Sequence, residues 1–405
     1  MNILYLAHRI PFPPNKGEKI RAFHQIKFLS KRHAVHLVCF VDDSNDLQHI
    51  DALRQYCATV HAVYRPKWVL QLRALVGALT GRSLSVAAFY SKSVQRYVDS
   101  TFLTAQIERV FVFSSSMAEY VLPHGDLPRV MDFVDVDSDK WRMYAERHGV
   151  FTRWLYELEA RRLAKYEARV AAAFDASILI STIEADLFKR SILDCPIVVL
   201  PNGVDLDYFH PKLSLPASPE TPPTLVFTGA MDYFPNIDAV EFFARSVFPL
   251  IRAQWQGARF LIVGRNPSSE VRALQDVEGV IVTGEVADIR TRMAEAQVAV
   301  APFRIARGIQ NKVLEAMAMG LPVVGTSMAF RGLRATEKNG VRCAESPEGL
   351  AREIGTLFED ASRRHELGLQ ARRFVEESHR WDDLGELLEK LIVNPQGQST
   401  LRDAC

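Results

Sequence analysis

The chain is 405 residues long, more than one ordinary hydrophobic core organises, and this length predicts two domains of roughly 150 to 200 residues. Its 49 Lys and Arg residues nearly balance 48 Asp and Glu residues, and the net charge of +1 argues against a nucleic-acid-binding protein. The five cysteines are widely spaced and form no CxxC pair, which predicts free thiols in a reducing cytoplasm instead of disulfides or a zinc site.

The amino terminus, MNILYLAH, enters a strand-like run at once, without the basic and long apolar regions of a secretion signal. No apolar stretch reaches the ~18 to 20 residues of a spanning helix. We therefore expect a cytoplasmic protein that contacts a membrane, if at all, peripherally on its inner face.

Short apolar strands alternate with amphipathic helices almost from end to end, the pattern of a parallel sheet covered by helices. The strands predicted in the first half are residues 2–8, 34–40, 109–114, 129–135, 176–181 and 197–202. Those predicted in the second half are residues 224–230, 259–264, 280–284, 298–303 and 322–326. Between the two series, residues 211–223 (PKLSLPASPETPP) are rich in Pro and Ser and have the composition of a linker.

The expected fold class is α/β, with two doubly wound, Rossmann-like domains that face each other across a cleft. A ligand bound in that cleft would lie at the carboxyl ends of the strands. The predicted boundaries are 1–205 for the amino-terminal domain, 206–223 for the linker, 224–375 for the carboxyl-terminal domain, and 376–405 for a helix that crosses back and a disordered tail.

The loop after the first strand, PFPPNKGEKIRAF, places Gly17 just before a helix that carries Lys19 and Arg21. Glycine lets the backbone approach a ligand, and a helix amino terminus favours negative charge. Neither half has a GxGxxG or a GxxxxGK[ST] motif, which argues against an ordinary NAD dehydrogenase or P-loop ATPase.

A basic segment follows, since residues 52–98 contain no acidic residue. Its cations are Arg54, Arg65, Lys67, Arg73, Arg82, Lys92 and Arg96, interleaved with apolar side chains. This composition is expected of a segment lying on an anionic membrane surface. The alternative is a solvated helix face with a stripe packed into the core.

Acidic residues gather after the strand at 129–135, in VMDFVDVDSDKW. Such a cluster can bind a metal, accept hydrogen bonds from hydroxyls, or cap the next helix, with Asp137 or Ser138 as the N-cap. Asp132 and Asp135 lie closest to the expected cleft. Further along, Asn202 and Gly203 form a turn signal beside the linker, which predicts a cleft edge there.

The segment ARGIQNKVLEAMAMGLPVVG, residues 306–325, predicts an amphipathic helix and then a buried strand. Its helix opens with Asn311 and Lys312 and carries Glu315 one turn later. A surface ion pair at helical spacing would account for the two charges without any ligand.

Several segments together resemble the retaining glycosyltransferases of family four, which have the GT-B fold: PNGVD, FTGAMDYFPN, FLIVG and the NKVLEAMAMGLPVV helix. HRIPFPPNKGEKIRAF, MDFVDVDSDKW and ARGIQNKVLEAMAMG look in addition like the sugar transferases of PEP-CTERM and exosortase exopolysaccharide systems. The resemblance covers about residues 1 to 390. It implies hexosyl-type transfer, with retention, from a nucleotide diphosphate sugar to a lipid-linked or oligosaccharide acceptor, without cofactor or metal.

The resemblance also implies roles for residues of the 306–325 segment. Glu315 would hold the nucleotide ribose and Lys312 would face the diphosphate. Many family members carry a second Glu on the donor-sugar side, but Arg307 stands here. Arg307, Arg304 and Arg265 would then help to neutralise the diphosphate. The remaining donor-binding candidates are Gly308, Ile309, Gln310 and Asn311, with Gly229, Gly17 and Asn202.

Catalysis in this interpretation is electrostatic, through Lys312, Arg307 and helix amino termini. Family members often have a His near the end of an amino-domain strand, whereas this chain offers Asp132 and Asp135 there, which leaves the proton acceptor open. Three other functions remain possible: an epimerase acting on nucleotide sugars, a non-catalytic GT-B scaffold of a glycan assembly complex, and a membrane-surface binding protein.

Overall fold

A computed structural model describes residues 1–147, 149–192, 195–211 and 222–395. The chain divides into two compact units, Met1–Pro201 with Trp381–Cys405, and Asn202–Arg380. Each unit is built on one parallel sheet.

The first unit contains a seven-stranded sheet in the order β3-β2-β1-β4-β5-β6-β7. Its strands are Asn2–Ala7 (β1), Ala34–Val41 (β2), Thr59–Tyr64 (β3), Arg109–Phe113 (β4), Arg129–Val134 (β5), Ala176–Leu179 (β6) and Ile197–Val199 (β7). Alternate residues of β1 enter two separate cores, Ile3 and Tyr5 on one face and Leu4 and Leu6 on the other. A strand apolar on both faces is typical of a sheet covered twice.

Helices cover both faces of this sheet. They are Gly17–Leu29 (α1), Ile50–Leu53 (α2), Lys67–Leu79 (α3), Leu84–Phe89 (α4), Lys92–Thr104 (α5), Asp137–Arg147 (α6), Val150–Ala173 (α7), Thr182–Lys189 (α8) and, from the end of the chain, Trp381–Val393 (α17). In α17, Leu388 and Leu391 are fully buried and Trp381 stacks on His24 of α1 with ring centroids 4.8 Å apart. A Cβ on Gly385 would lie 2.3 Å from the Phe28 ring, so glycine permits this close packing.

The second unit repeats the architecture with six strands in the order β10-β9-β8-β11-β12-β13. The strands are Thr224–Thr228 (β8), Arg259–Val263 (β9), Val280–Gly284 (β10), Val298–Ala301 (β11), Val323–Gly325 (β12) and Val341–Cys343 (β13). The helices are Phe234–Phe242 (α9), Phe248–Gln254 (α10), Ser269–Arg272 (α11), Ile289–Ala294 (α12), Asn311–Ala318 (α13), Ser327–Phe330 (α14), Pro347–Glu359 (α15) and Ala361–Ser378 (α16).

Every predicted strand is present, and the predicted α/β class with two doubly wound sheets is confirmed. Two strands that the sequence did not predict, β3 and β13, lie at sheet edges. No residue of β3 is fully buried, and β13 has only three residues. An edge strand needs fewer apolar residues than a central one, so its sequence pattern is weak.

The chain passes from the first unit to the second between Pro201 and Asn202 and returns between Arg380 and Trp381. The sequence placed these boundaries after residues 205 and 375. The described residues of the predicted linker belong to the second unit. There Arg372 donates to the carbonyls of Leu206 and Phe209, and the Val204 amide donates to the His379 carbonyl. Residues 212–221 of the predicted linker and 396–405 of the predicted tail lie outside the described residues.

Candidate functional site

The strand order of the second sheet reverses between β8 and β11, where consecutive connections turn to opposite sides. In open α/β sheets the crevice at such a switch point, outside the carboxyl ends of the strands, is where ligands bind. Lys312, near the start of α13, lies there, with its Nζ 4.6 Å from the Phe227 ring centroid and 4.9 Å from that of Phe303. Phe227 lies near the end of β8 and Phe303 shortly after β11. Lys312 therefore lies in the crevice between these two strand ends.

Asn236 holds the ammonium group of Lys312, and Gly229 leaves room for it. Lys312 Nζ donates to Oδ1 of Asn236, whose own Nδ2 donates to the Ala230 carbonyl at 2.7 Å. A Cβ on Gly229 would lie 2.8 Å from Lys312 Nζ and 2.8 Å from Asn236 Nδ2, so a larger residue would displace both. The sequence did not predict this contact between Asn236 and Lys312.

Glu315 is one helical turn beyond Lys312, and both side chains are half-buried. Burial raises the pKa of Glu315 to about 7, and the charge of Lys312 opposes that rise. Burial likewise lowers the pKa of Lys312 to about 7, against the charge of Glu315. Lys312 turns to Asn236, and among the described residues it forms no ion pair with Glu315. The surface ion pair is therefore the wrong explanation, and two ionisable groups are held in a crevice that disfavours both charges.

Asn202 fixes the beginning of α13. Its Nδ2 donates to Oδ1 of Asn311 at 2.7 Å, and its carbonyl lies 2.7 Å from Nδ1 of His379. In the loop just before the helix, Gln310 Nε2 donates to the Arg307 carbonyl at 2.9 Å. Gln310, Asn311 and Lys312 therefore lie on one loop-and-helix terminus, and Asn202 contacts it through Asn311.

The side chains of the other donor-side candidates are not equally available to a ligand. The Ile309 side chain is buried, which leaves its backbone and that of Gly308 to meet a ligand. Arg304 is paired with Asp238 and stacks over Phe242, so its charge is already opposed. Arg265 follows β9 and is half-exposed, and its carbonyl accepts from the Met231 amide.

Asp132 does not fit its predicted catalytic role. It is fully buried in β5 and accepts hydrogen bonds from Nε of Arg21 and Nε2 of Gln25, each at 2.8 Å. Arg21 is 1% exposed and also donates to the carbonyl of Pro201. The carboxylate thus ties α1 to the sheet and has no surface that a substrate can reach.

The helix that Gly17 opens is also less available than the sequence predicted. Gly17 begins α1 as expected. Lys19, however, is 2% exposed and pairs with Asp46 at 2.5 Å, and Arg21 is held by Asp132. Lys19 and Arg21 are therefore structural, which leaves the backbone amino terminus of α1 for an anion.

Asp135 is half-buried directly after β5, in a loop fixed by two buried glutamates. Glu184 accepts from the amide of Val136, and Glu167 accepts from the amide and hydroxyl of Ser138. Glu167 therefore caps α6 in place of the predicted Asp137 or Ser138, and burial raises its pKa to about 8. Among the described residues no three His, Cys, Asp or Glu side chains come together as a metal site would require.

His8 is a candidate that the sequence reasoning missed. It follows β1, and its ring stacks on Phe113 at the end of β4, with centroids 5.9 Å apart and planes 9° apart. The strand order of the first sheet reverses between β1 and β4, so His8 lies at that sheet's switch point. Within the described residues its buried Nδ1 has no hydrogen-bond partner. Burial, assisted by Arg9, lowers its pKa to about 4, which keeps the ring neutral at pH 7.

Strained backbone lies at the same edge of the sheet as His8. Ser114 after β4 and Val134 at the end of β5 have φ of 76° and 67°, values that residues other than glycine rarely adopt. Such strain persists where the surrounding structure enforces it and often accompanies function. The signal available in the sequence was the position of His8 at the end of the first predicted strand.

Comparison with known proteins gives a family match for part of the second unit and solved structures that share the fold of the whole chain. Residues 222–360 match the family described as Glycosyl transferases group 1. Sucrose-phosphate synthase from Thermosynechococcus elongatus is 16% identical with a TM-score of 0.70, over 98% of this chain and 100% of that one. Anabaena HepE in complex with UDP and glucose is 16% identical, with a TM-score of 0.65 over 97% and 100% of the two chains.

WaaG, a glycosyltransferase involved in lipopolysaccharide biosynthesis, is 16% identical with a TM-score of 0.65 over 96% of this chain and 99% of that one. No curated protein matches the sequence. The chain has the GT-B fold, and residues 222–360 of its second unit match the group 1 glycosyl transferase family.

Proposed function

We propose that the chain transfers a sugar from a nucleoside diphosphate donor to a hydroxyl of a lipid-linked or oligosaccharide acceptor, with retention, in surface-glycan or exopolysaccharide assembly. The observation that carries this proposal is Lys312, held at the switch point of a domain that matches the glycosyltransferase family. A diphosphate is the leaving group that such a cation suits. HepE, which shares the fold, binds UDP and glucose.

The donor chemistry follows from the charges around α13. As the sugar–phosphate bond breaks, negative charge develops on the diphosphate, and Lys312, Arg307 and Arg265 would stabilise it. The amino terminus of α13 adds its dipole. Fixed cations can supply this stabilisation, so the proposed mechanism needs no metal.

Glu315 would hold the ribose of the donor. One carboxylate can accept hydrogen bonds from two vicinal hydroxyls, and such charge-assisted bonds are stronger than neutral ones. Bound hydroxyls would favour the ionised form of Glu315, and the diphosphate would favour the protonated form of Lys312. The donor would therefore relieve the penalty that the empty crevice imposes on both residues.

On the acceptor side, His8 and Asp135 are the candidates for the group that takes the hydroxyl proton. Retaining transfer in which the acceptor attacks from the face that the leaving group vacates needs no protein nucleophile. The leaving diphosphate can itself take the proton. His8 or Asp135 would then orient the acceptor hydroxyl.

The test is a screen of the purified chain against UDP-, GDP-, ADP- and dTDP-sugars. We would record the melting temperature and the release of nucleoside diphosphate, with and without a polyprenyl-linked acceptor. One donor that stabilises the chain and shows acceptor-dependent release supports the transferase. Glu315→Gln should reduce the stabilisation by the donor, while Glu348→Gln, which replaces an exposed acid on α15, should not. No stabilisation by any donor would favour the non-catalytic scaffold.

A further inference from the structure

Helix α3 exposes a continuous apolar face. Its exposed side chains are Trp68 (66%), Leu72 (55%), Leu75 (59%), Val76 (52%) and Leu79 (83%). At about 100° per residue these positions fall within about 100° of arc, so they form one stripe along the helix. Apolar side chains scattered singly over a surface need no explanation, but a stripe of five does.

The opposite side of α3 packs against α4. A Cβ on Gly77 would lie 2.5 Å from the Cβ of Ala87, so the two helices approach as closely as glycine allows. Arg73 anchors the same side by donating from Nη1 to the Tyr90 carbonyl at 2.5 Å. The helix is therefore fixed with its apolar stripe outward and cannot roll to bury it.

The basic run that the sequence singled out contributes less than its composition suggested. Arg65 is 5% exposed, donates to the Ala88 and Tyr90 carbonyls and lies over the Phe40 ring, so it belongs to the core. Arg73 is engaged in its hydrogen bond to the Tyr90 carbonyl. Arg65 and Arg73 therefore add little positive charge to the surface of residues 52–98, and the apolar feature that this segment exposes is the face of α3.

Positive charge is nevertheless available next to α3. Arg82, just beyond the helix, shares the single carboxylate of Glu119 with Arg169 of α7. One and two turns before Arg169 on α7, Lys165 and Arg161 are exposed, so three cations follow one another at four-residue spacing. No acidic residue occurs between Ala52 and Val98. The surroundings of the apolar stripe therefore complement an anionic surface.

The size of the stripe argues against a second copy of the chain as its partner. A 13-residue helix is about 20 Å long and about 10 Å wide, which gives a face of about 200 Å². A stable protein–protein contact buries about 800 Å² on each partner. A lipid leaflet needs no matching shape, and a short apolar stripe bordered by cations is what an interfacial helix presents to it.

We propose that α3 inserts its apolar face into the surface of a membrane leaflet that contains anionic lipids, with the cations of α7 against the headgroups. Among the described residues no helix is long and apolar enough to span a bilayer, so the contact is interfacial. This contact does not depend on the donor chemistry, and it would hold the chain beside a lipid-linked acceptor.

The experiment is co-sedimentation of the full chain with vesicles of phosphatidylcholine and phosphatidylglycerol, against phosphatidylcholine alone. We expect binding to the anionic vesicles and at least about tenfold weaker binding for Leu72→Ser/Leu75→Ser, because two leucines lose their apolar burial. The matched control is Leu103→Ser/Leu369→Ser, two leucines of 85% and 55% exposure on other helices, and it should bind like the parent. Arg161→Gln/Lys165→Gln should weaken binding to the anionic vesicles only.

Three results would overturn the proposal: no binding of the parent chain, equal binding to both vesicle types, or unchanged binding of Leu72→Ser/Leu75→Ser. So would a dimer in solution that dissociates in that variant, since the stripe would then be a protein contact. If the double variant does not fold, the fluorescence of Trp68 decides, read as the difference between the parent and Trp68→Phe. A blue shift on adding anionic vesicles supports insertion, and an unchanged spectrum contradicts it.

Discussion

Replacing Glu315 by Gln should make the empty protein more stable above pH 7, although it should weaken donor binding. Burial raises the pKa of Glu315 from its ordinary 4.5 to about 7. Between these two values the native state binds more protons than the unfolded state, so stability is lost as the pH rises. Above pH 7 the accumulated penalty is about 3 kcal/mol, at about 1.36 kcal/mol per pH unit. Gln carries no charge at any pH and escapes it.

The assay is thermal and urea unfolding of Glu315→Gln and the parent at pH 5 and pH 8, without donor. For a unit of this size about 3 kcal/mol corresponds to a rise of roughly 6 to 12 °C in melting temperature at pH 8. At pH 5 the two proteins should nearly coincide, because Glu315 is then largely protonated. Glu348→Gln should show no pH-dependent difference from the parent.

Donor binding should change in the opposite direction. An amide offers ribose hydroxyls a neutral acceptor in place of a charged one, so we expect about tenfold to hundredfold weaker binding, from about 1.5 to 3 kcal/mol for a hydrogen bond to a charged group. Replacing a side chain that stabilises the fold makes the protein less stable. Replacing a ligand-binding acid whose charge is disfavoured by burial makes the empty protein more stable. A destabilised Glu315→Gln, or a stability gain that is the same at both pH values, would refute this reasoning.

Three further substitutions separate the roles of the other candidates. Lys312→Ala should lower turnover about 100- to 1,000-fold through loss of charge stabilisation in the transition state, and unchanged turnover would show that Arg265 or Arg307 supplies it. Asp132→Ala should cost about 3 to 5 kcal/mol in urea unfolding because Arg21 is left buried and unpaired; a stable variant that lost turnover would restore the catalytic role. His8→Gln should lower turnover without weakening donor binding, and it should leave the shape of the pH–rate profile between pH 6 and 8 unchanged, since the pKa of His8 is about 4 whereas those of Glu315 and Lys312 are about 7. Loss of an ionisation from that range in His8→Gln would contradict that role.

The sequence predicted the central strands because each is a continuous apolar run bounded by turn residues, as β1 and β8 illustrate. It missed β3 and β13 because sheet edges tolerate polar and very short segments. It also placed the first unit boundary four residues late. The turn at Asn202 already belongs to the second unit, through a contact with His379 that no local pattern reveals.

The candidate site was predictable where one segment carries it. Asn311, Lys312 and Glu315 lie within one helix, so spacing alone places them together. Contacts between distant segments were not predictable: Asn236 reaches Lys312 across 76 positions, and Arg21 reaches Asp132 across 111. Asp132 shows the resulting error, because an acid at a strand end looks the same in sequence whether it faces a ligand or a buried arginine.

The switch point of the second sheet indicates how the chain could bind phosphate without a glycine-rich motif. A GxGxxG loop binds phosphate through backbone amides, which carry no net charge and need no neutralisation when the site is empty. Here the crevice of the second sheet holds Lys312 between two phenylalanine rings, where a fixed ammonium is costly without an anion. The pKa of Lys312, lowered to about 7, lets the empty site shed that charge. A diphosphate would restore it, and the attraction would strengthen as negative charge develops on the leaving group, which is the condition under which a cation lowers a barrier instead of merely binding substrate.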